Sequence, residues 1–196
     1  MALTEEDVLG ILRHTGALRT GHFVLSSGRH SDTYVEKARV FEHPDVTVRL
    51  GREIASWYED VVAVVSPAVG AIPLGFATAL AAGARFVYAE REGGTMALRR
   101  GFAIAPGERV VIVEDVVTTG ESAAEVLALA RDRGARVLGV AALVDRAGPR
   151  AGLPLRALSR VSAQTWDPDA CPLCARDVPA ESPGSRHLAE KRRSFG

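Results

Sequence analysis

Arg109-Val-Val-Ile-Val-Glu-Asp-Val-Val-Thr-Thr-Gly-Glu-Ser122 decides the fold and points to the site. Val110 to Val113 is an unbroken β-branched run, which predicts a strand over 109–113 buried on both faces. Glu114 and Asp115 follow, then a small hydroxyl-rich turn, then a predicted helix over 121–133. Thr118, Thr119 and Ser122 offer hydroxyl donors, and Gly120 permits close backbone approach. The helix start adds unpaired amides and the positive end of a dipole. That combination suits a phosphate monoester. Glu114 and Asp115 would repel a phosphate that faced them, but they suit sugar hydroxyls, which donate to carboxylates. A phosphate beside a vicinal diol is a ribose phosphate. A capped turn, with Asp115 or Thr118 satisfying backbone amides and Glu121 favouring the first helical turn, accounts for the hydroxyls but not for two consecutive acids. A P-loop lysine is missing and no G-x-G-x-x-G opens a helix, which disfavours nucleotide triphosphatases and dinucleotide enzymes.

Outward from this stretch the pattern is regular. Helices are predicted over 44–59 and 72–82, and strands over 61–65, 85–89, 136–144 and, more briefly, 155–158. Apolar strands alternating with helices imply βαβ units, hence an α/β fold with an open parallel sheet covered by helices on both faces. Ligands of such sheets sit beyond the carboxyl ends of the strands. Residues 66–71, 90–100, 114–122 and 145–152 all fall there. Thr4 and Asp7 cap an amphipathic helix that ends near Gly16, and residues 23–35 read as short extended pieces around a glycine turn. One domain is expected: an N-terminal helix and hood over 1–43, an α/β core over 44–160, and an irregular C-terminal extension over 161–196.

The 24 basic residues balance the 24 acidic ones, so the sequence-independent attraction to nucleic acid is missing and no nucleic-acid partner is expected. Lys37 and Lys191 are the only lysines. The acidic start is unlike a secretory signal, and the longest apolar stretch, around Ile72 to Ala84, is too short and glycine-broken to span a bilayer. A soluble cytoplasmic protein with no membrane partner is expected. Cys171 and Cys174 are half of a zinc pattern, and the only histidine near them in sequence is His187. An unliganded pair, or a structural site shared by two chains, is the reading adopted, with no metal ligand assigned. Of the remaining histidines, scattered at 14, 22, 30 and 43, only His30 lies where substrate contact is plausible.

The run from Val110 to Ser122 resembles the phosphoribosyl-pyrophosphate signature of the type I phosphoribosyltransferases. Phe23-Val-Leu-Ser-Ser-Gly-Arg-His-Ser-Asp-Thr-Tyr34 is similar to the hood of the orotate phosphoribosyltransferases within that superfamily. Ser66-Pro-Ala-Val-Gly-Ala-Ile-Pro-Leu74 is similar to their pyrophosphate loop, and Ala141-Ala-Leu-Val-Asp-Arg146 to the end of their fifth strand. Cys171-Pro-Leu-Cys174 with Pro183-Gly-Ser-Arg186 resembles a short bacterial branch. The resemblance implies transfer of ribose 5-phosphate from phosphoribosyl pyrophosphate to orotate. It places Glu114 and Asp115 on the ribose hydroxyls, and Val116, Val117, Thr118, Thr119, Gly120, Glu121 and Ser122 around the 5-phosphate. Thr118 and Arg146 would contact orotate, residues 26–31 would close over the base, and Arg91 would meet pyrophosphate.

The same resemblance implies Mg2+ carried mainly by the substrate's own oxygens, with arginines stabilising the leaving group. Residues 92–100 fit a mobile lid with Gly93 and Gly94 as hinges, reaching the neighbouring site of a homodimer; an exposed hairpin with ordinary surface arginines fits them as well. Better-known members carry lysines in the hood, pyrophosphate loop and lid, and a histidine in the lid. Here those positions hold Ser26, Gly70, Ala71 and a lid without either residue type, so Arg91, Arg99, Arg100 and Lys37 are the candidates for a redistributed anion clamp. The signature alone also allows a purine-base phosphoribosyltransferase, and the fold allows a non-catalytic regulator that senses phosphoribosyl pyrophosphate.

Overall fold

The periodicities resolve into a central sheet and a smaller one, seen in a computed structural model that describes residues 2–25, 27–146 and 153–183. Helix α1 (Glu5–His14) leads into strands β1 (Leu18–Val24) and β2 (His30–Val35). Helices α2 (Ala38–Phe41) and α3 (Pro44–Ala55) precede β3 (Ala63–Pro67), α4 (Ile72–Ala82), β4 (Arg85–Glu92) and β5 (Thr95–Leu98). The chain continues through β6 (Arg109–Val117), α5 (Glu121–Asp132), β7 (Arg136–Asp145), β8 (Leu155–Arg160) and the two-residue β9 (Thr165–Trp166).

The large sheet has the order β5-β4-β3-β6-β7-β8. It is parallel from β4 to β8, and β5 adds antiparallel to β4 at one edge. Alternation along β6 splits its side chains between two cores. Val111 and Val113 join Leu50, Ile54 and Leu74 from α3 and α4, with Val8 and Leu12 from α1. Val110 and Ile112 join Val126, Leu127 and Ala130 from α5 on the other face. Helices therefore cover both faces, as the α/β reading requires. Helices α3 and α4 approach so closely at Gly51 that a Cβ there would lie 2.6 Å from the Ala77 carbonyl carbon, so α4's position over the sheet depends on that missing side chain.

Two boundaries differ from expectation for physical reasons. Strand β6 does not stop at Val113 but carries both acids in its ladder, Glu114 opposite Ala142 and Val116 opposite Val144; backbone pairing is indifferent to side-chain charge when a partner offsets it. Helix α3 ends at Ala55, not at 59, where the Trp57 indole turns back to donate to Glu53 Oε1 at 3.2 Å. The hood is a separate three-stranded sheet, β1-β2-β9, in which the C-terminal extension supplies the third strand. No helix among the described residues is long and apolar enough to cross a membrane.

Candidate functional site

The chain leaves β3 through α4 toward β4, on one side, and leaves β6 through α5 toward β7, on the other. The crevice where the strand order diverges lies between the carboxyl ends of β3 and β6, the place where open α/β sheets bind ligands. The loop after β3, Ala68 to Ala71, and the turn after β6, Thr118 to Gly120, form its two lips.

At the second lip Gly120 has φ 81°, a left-handed conformation that glycine adopts without steric cost, and it is the N-cap of α5. A glycine cap brings no side-chain oxygen, so the first amides of α5 keep their donors; only a long contact from Glu121 N to Thr119 Oγ1, at 3.4 Å, turns inward. Asp115 does not cap the helix either: its Oδ1 accepts from Val116 N within the strand, so the amide it satisfies is its neighbour's and not one of the first amides of α5. Glu114 and residues 116–123 line a cavity of about 40 Å3 in which amides, hydroxyls and a dipole end, a chemistry suited to a small anion, stand beside the acidic residues Glu114 and Glu121.

The two acids part company. Strand alternation carries Asp115 to the α4 side, where Lys37 Nζ meets its Oδ2 at 2.6 Å. The same oxygen and Lys37 Nζ crowd Gly70; a Cβ on Gly70 would collide with the carboxylate and stand 2.6 Å from the ammonium. Lys37 therefore occupies the space that a side chain at position 70 would take. Glu114 instead lines the cavity of the turn and is nearly buried. Burial, reinforced by the neighbouring Asp115 carboxylate, pushes its carboxyl up to about 8, while Lys37 acts weakly in the opposite direction.

Arg146 follows β7, and its amide donates to Val117 O at 2.9 Å, which ties it to the end of β6. Its Nε is buried and has no hydrogen-bond partner among the described residues. Burial lowers its pKa, with Asp32 and Tyr34 of the hood acting the other way. An unmatched guanidinium nitrogen beside the hood is what an anionic ligand edge would satisfy. The rest of the loop, 147–152, lies outside the described residues, as does Ser26 of the hood.

The segment over 92–100 is a hairpin. Gly93 and Gly94, at φ 58° and 92°, form the two-residue turn between Glu92 and Thr95, the conformation that a tight hairpin demands of both positions. They sit at the tip and so are not hinges at the base. Arg91 binds the Gly94 carbonyl at 2.7 Å and Glu125 of α5, Arg99 lies 3.5 Å from Glu92, and Arg100 makes a two-pronged contact with Glu90 at 2.8 and 3.0 Å. All three are thus engaged with acids of the hairpin and α5, and these contacts do not bring them onto the 118–122 turn.

Cys171 and Cys174 converge on two histidines that sequence proximity did not suggest. His22 and His30, from β1 and β2, bring ring nitrogens to the thiols, with all four potential ligand atoms within 4.8 Å of one another. His187, Arg186 and Lys191 lie outside the described residues. His22 and His30 are both missed partners: His30, singled out for substrate contact, stands instead at the thiols, and so does His22. Their only sequence signal is the unfilled half of a Cys-x-x-Cys pair, because the pairing is made by tertiary folding.

Comparison with known proteins agrees with this geometry. The family described as "Phosphoribosyl transferase domain" matches residues 40–152. A protein of Desulforamulus reducens named orotate phosphoribosyltransferase is 45% identical over 190 residues, covering 95% of this chain and all of the relative. One of the same name from Thermotoga maritima is 48% identical over 182 residues, 91% of this chain and 97% of its own length. The crystal structure of orotate phosphoribosyltransferase from Aeropyrum pernix superposes with a TM-score of 0.65 at 28% identity, over 79% of this chain and 93% of that one. With signature turn, switch-point crevice and near full-length relatives in agreement, the chain belongs to the orotate phosphoribosyltransferases, within the phosphoribosyltransferase fold.

Proposed function

We propose that this chain transfers the 5-phosphoribosyl group of phosphoribosyl pyrophosphate to N1 of orotate, releasing pyrophosphate and forming orotidine 5'-monophosphate for UMP synthesis. The observation that carries the reading is the uncapped turn from Thr118 to Ser122 standing beside Glu114 at the switch point. The α5 amides and the hydroxyls of Thr118, Thr119 and Ser122 hold the 5-phosphate. Glu114 accepts from a ribose hydroxyl, and Asp115, steadied by Lys37, serves the other. Arg146, with its unmatched Nε, faces the carboxylate of the base; that preference for an anionic base favours orotate over adenine or hypoxanthine.

The bond between ribose C1 and the diphosphate breaks with its electron pair leaving on the diphosphate, and N1 of orotate forms the new bond at C1 as its proton passes to solvent. Fixed charges aimed at the leaving oxygens stabilise this separation. Lys37, beside the Gly70 loop, and Arg91, Arg99 and Arg100, if the hairpin folds across the crevice, supply that charge. Lys37 already pairs with Asp115, so Mg2+ would be carried by the substrate's own oxygens, where it would offset the diphosphate charge, while Glu114 and Asp115 hold the ribose.

The active species proposed is a cytoplasmic homodimer. Phe76 and Leu80 lie one turn apart on α4, 58% and 63% exposed; such an apolar pair is suited to a second subunit, whose crevice the hairpin would reach. Incubation with orotate, Mg2+ and phosphoribosyl pyrophosphate should consume orotate absorbance and release pyrophosphate. Turnover preferring adenine or hypoxanthine would reassign the base, and binding of phosphoribosyl pyrophosphate without turnover on any base would make the protein a sensor.

A further inference from the structure

We infer that His22, His30, Cys171 and Cys174 form a closed tetrahedral site for one structural zinc ion, which fastens the C-terminal extension to the hood. The four residues come from opposite ends of the chain. Between the pairs Thr20↔Thr33 and Phe23↔Ser31, β1 holds two residues, Gly21 and His22, against the single Asp32 of β2. This bulge breaks the side-chain alternation, so that His22 and Phe23 are both buried although adjacent. His30 stands at the start of β2, across the hood loop from His22. Cys171 and Cys174 flank Pro172 and Leu173 in a tight turn, closed by Ala175 N donating to Cys171 O at 3.2 Å.

The protonation pattern is that of a ligand set. His22 Nδ1 lies 2.7 Å from the carbonyl of Val178. An amide carbonyl only accepts, so the proton is on Nδ1 and the lone pair of Nε2 points into the cluster, the arrangement in which a backbone acceptor orients a metal-bound histidine. Around that one lone pair stand His30 Nδ1 at 2.7 Å, Cys171 Sγ at 3.6 Å and Cys174 Sγ at 3.7 Å. Two ring nitrogens and two thiols thus crowd one point beside two buried side chains, His22 and Cys171, where the thiols are only weak donors and acceptors. As two thiolates and two neutral imidazoles around a dication, all four would have a strong partner.

The spacing agrees. Bonds of about 2.3 Å to sulfur and about 2.05 Å to nitrogen put tetrahedral N···S edges at roughly 3.6 Å and the N···N edge at roughly 3.3 Å. Three of the four N···S separations are 3.6, 3.7 and, for Cys174 Sγ to His30 Nδ1, 3.2 Å; the four atoms lie within 4.8 Å of one another, and closing on an ion needs the two histidines to part by about 0.6 Å from their 2.7 Å approach. A tetrahedral set of two sulfurs and two nitrogens selects zinc among common divalent ions. With four protein ligands no position is open for a substrate, so the ion is structural.

What the ion would hold is visible in the surrounding pairings. Val24 N and O-accepting Glu181 meet at 2.8 Å, Glu181 N donates to His22 O, Arg29 pairs with Asp167, and His30 is in register with Trp166. These contacts are mostly exposed and individually weak. A metal joining them at their centre makes one unit of the extension and the two strands that carry the hood loop.

The test is elemental analysis and cobalt substitution on the full chain, purified under reducing conditions without chelator. About one zinc per chain is expected. The Co2+ form should show the intense visible bands of tetrahedral cobalt with thiolate charge transfer, and X-ray absorption on the zinc form should return two sulfur and two nitrogen neighbours. Cys174→Ala and His30→Ala should each lose the zinc, and a strong chelator should lower the Tm of the parent protein but not of these variants. Parent protein that holds no zinc after reconstitution, a Cys171–Cys174 disulfide in its mass spectrum, or Cys174→Ala retaining a full equivalent would overturn the site. Should either variant fail to fold, the metal content and absorption spectrum of the parent decide alone. None of these readouts depends on the base that the enzyme uses.

Discussion

Lys37 Nζ lies 2.6 Å from Asp115 Oδ2, and the space in which they meet exists because residue 70 is glycine. Lys37, at the start of α2, thus brings an ammonium over Gly70, in the loop proposed to meet pyrophosphate. Asp115 is buried while the Lys37 side chain is 42% exposed, so the pair sits at the crevice wall and its ammonium keeps access to solvent and to a bound anion.

Lys37→Met should lower kcat/KM for phosphoribosyl pyrophosphate by roughly ten- to a hundredfold, the equivalent of one charge-assisted contact of about 1.5–3 kcal/mol. Asp115→Asn should cost a similar factor by weakening ribose recognition. Because the two share one contact, the double variant should lose little more than the worse single variant. Steady-state kinetics on the four proteins checks this, and additive losses would mean that the residues act separately.

Gly70→Ala should drive Lys37 and Asp115 apart and reduce activity at least as far as Lys37→Met, with a stability loss of about 1–3 kcal/mol from overpacking. Gly10 is the contrasting case. It lies inside α1 with nothing within 4 Å of a built Cβ, so Gly10→Ala should raise stability by about 1 kcal/mol without touching kinetics. Denaturant melts of the two variants give the comparison.

The centre of this site was legible in the sequence because its signals are local. A β-branched run, two acids, three hydroxyls and a glycine occur in one stretch, and βαβ periodicity says where such a turn must stand. The hidden parts are relationships between distant segments. Nothing near Lys37 says that it will face Asp115 rather than solvent; that follows from Gly70 leaving room. Nothing near Cys171 points to His22, because a β-bulge at the other end of the chain turns that ring inward. The place of Gly93 and Gly94 is hidden for a different reason: two glycines serve a hinge or a tight turn equally well, and only the register of Glu92 opposite Thr95 distinguishes them.

Phe76 and Leu80 test the assembly. Replacing both with aspartate puts charge into the exposed stripe of α4 while leaving its buried face, Leu74, Ala77 and Thr78, intact. The expected outcome is a halved mass by light scattering, with secondary structure unchanged and activity falling with dimer content. A monomeric parent protein would refute the dimer, and a variant that remains dimeric would place the interface elsewhere.

Glu114 gives the enzyme a pH dependence of definite sign. Its carboxyl is raised by burial, and by Asp115 beside it, from 4.5 to about 8. Between those values the folded chain binds a proton that the unfolded chain releases, so stability falls as pH rises through that window. The effect is complete below the unfolded value and is lost above about 8. Its full size is on the order of a few kcal/mol, because each pK unit of difference corresponds to about 1.4 kcal/mol. Glu114→Gln keeps the shape and removes the proton. The variant should therefore lack this slope and gain on the parent protein as pH is raised from about 5 to about 8. Thermal or urea melts across that range, with no ligand present, read the difference directly; parallel pH profiles for the two proteins would mean that Glu114 titrates as an ordinary carboxylate and that the crevice tolerates two negative charges side by side.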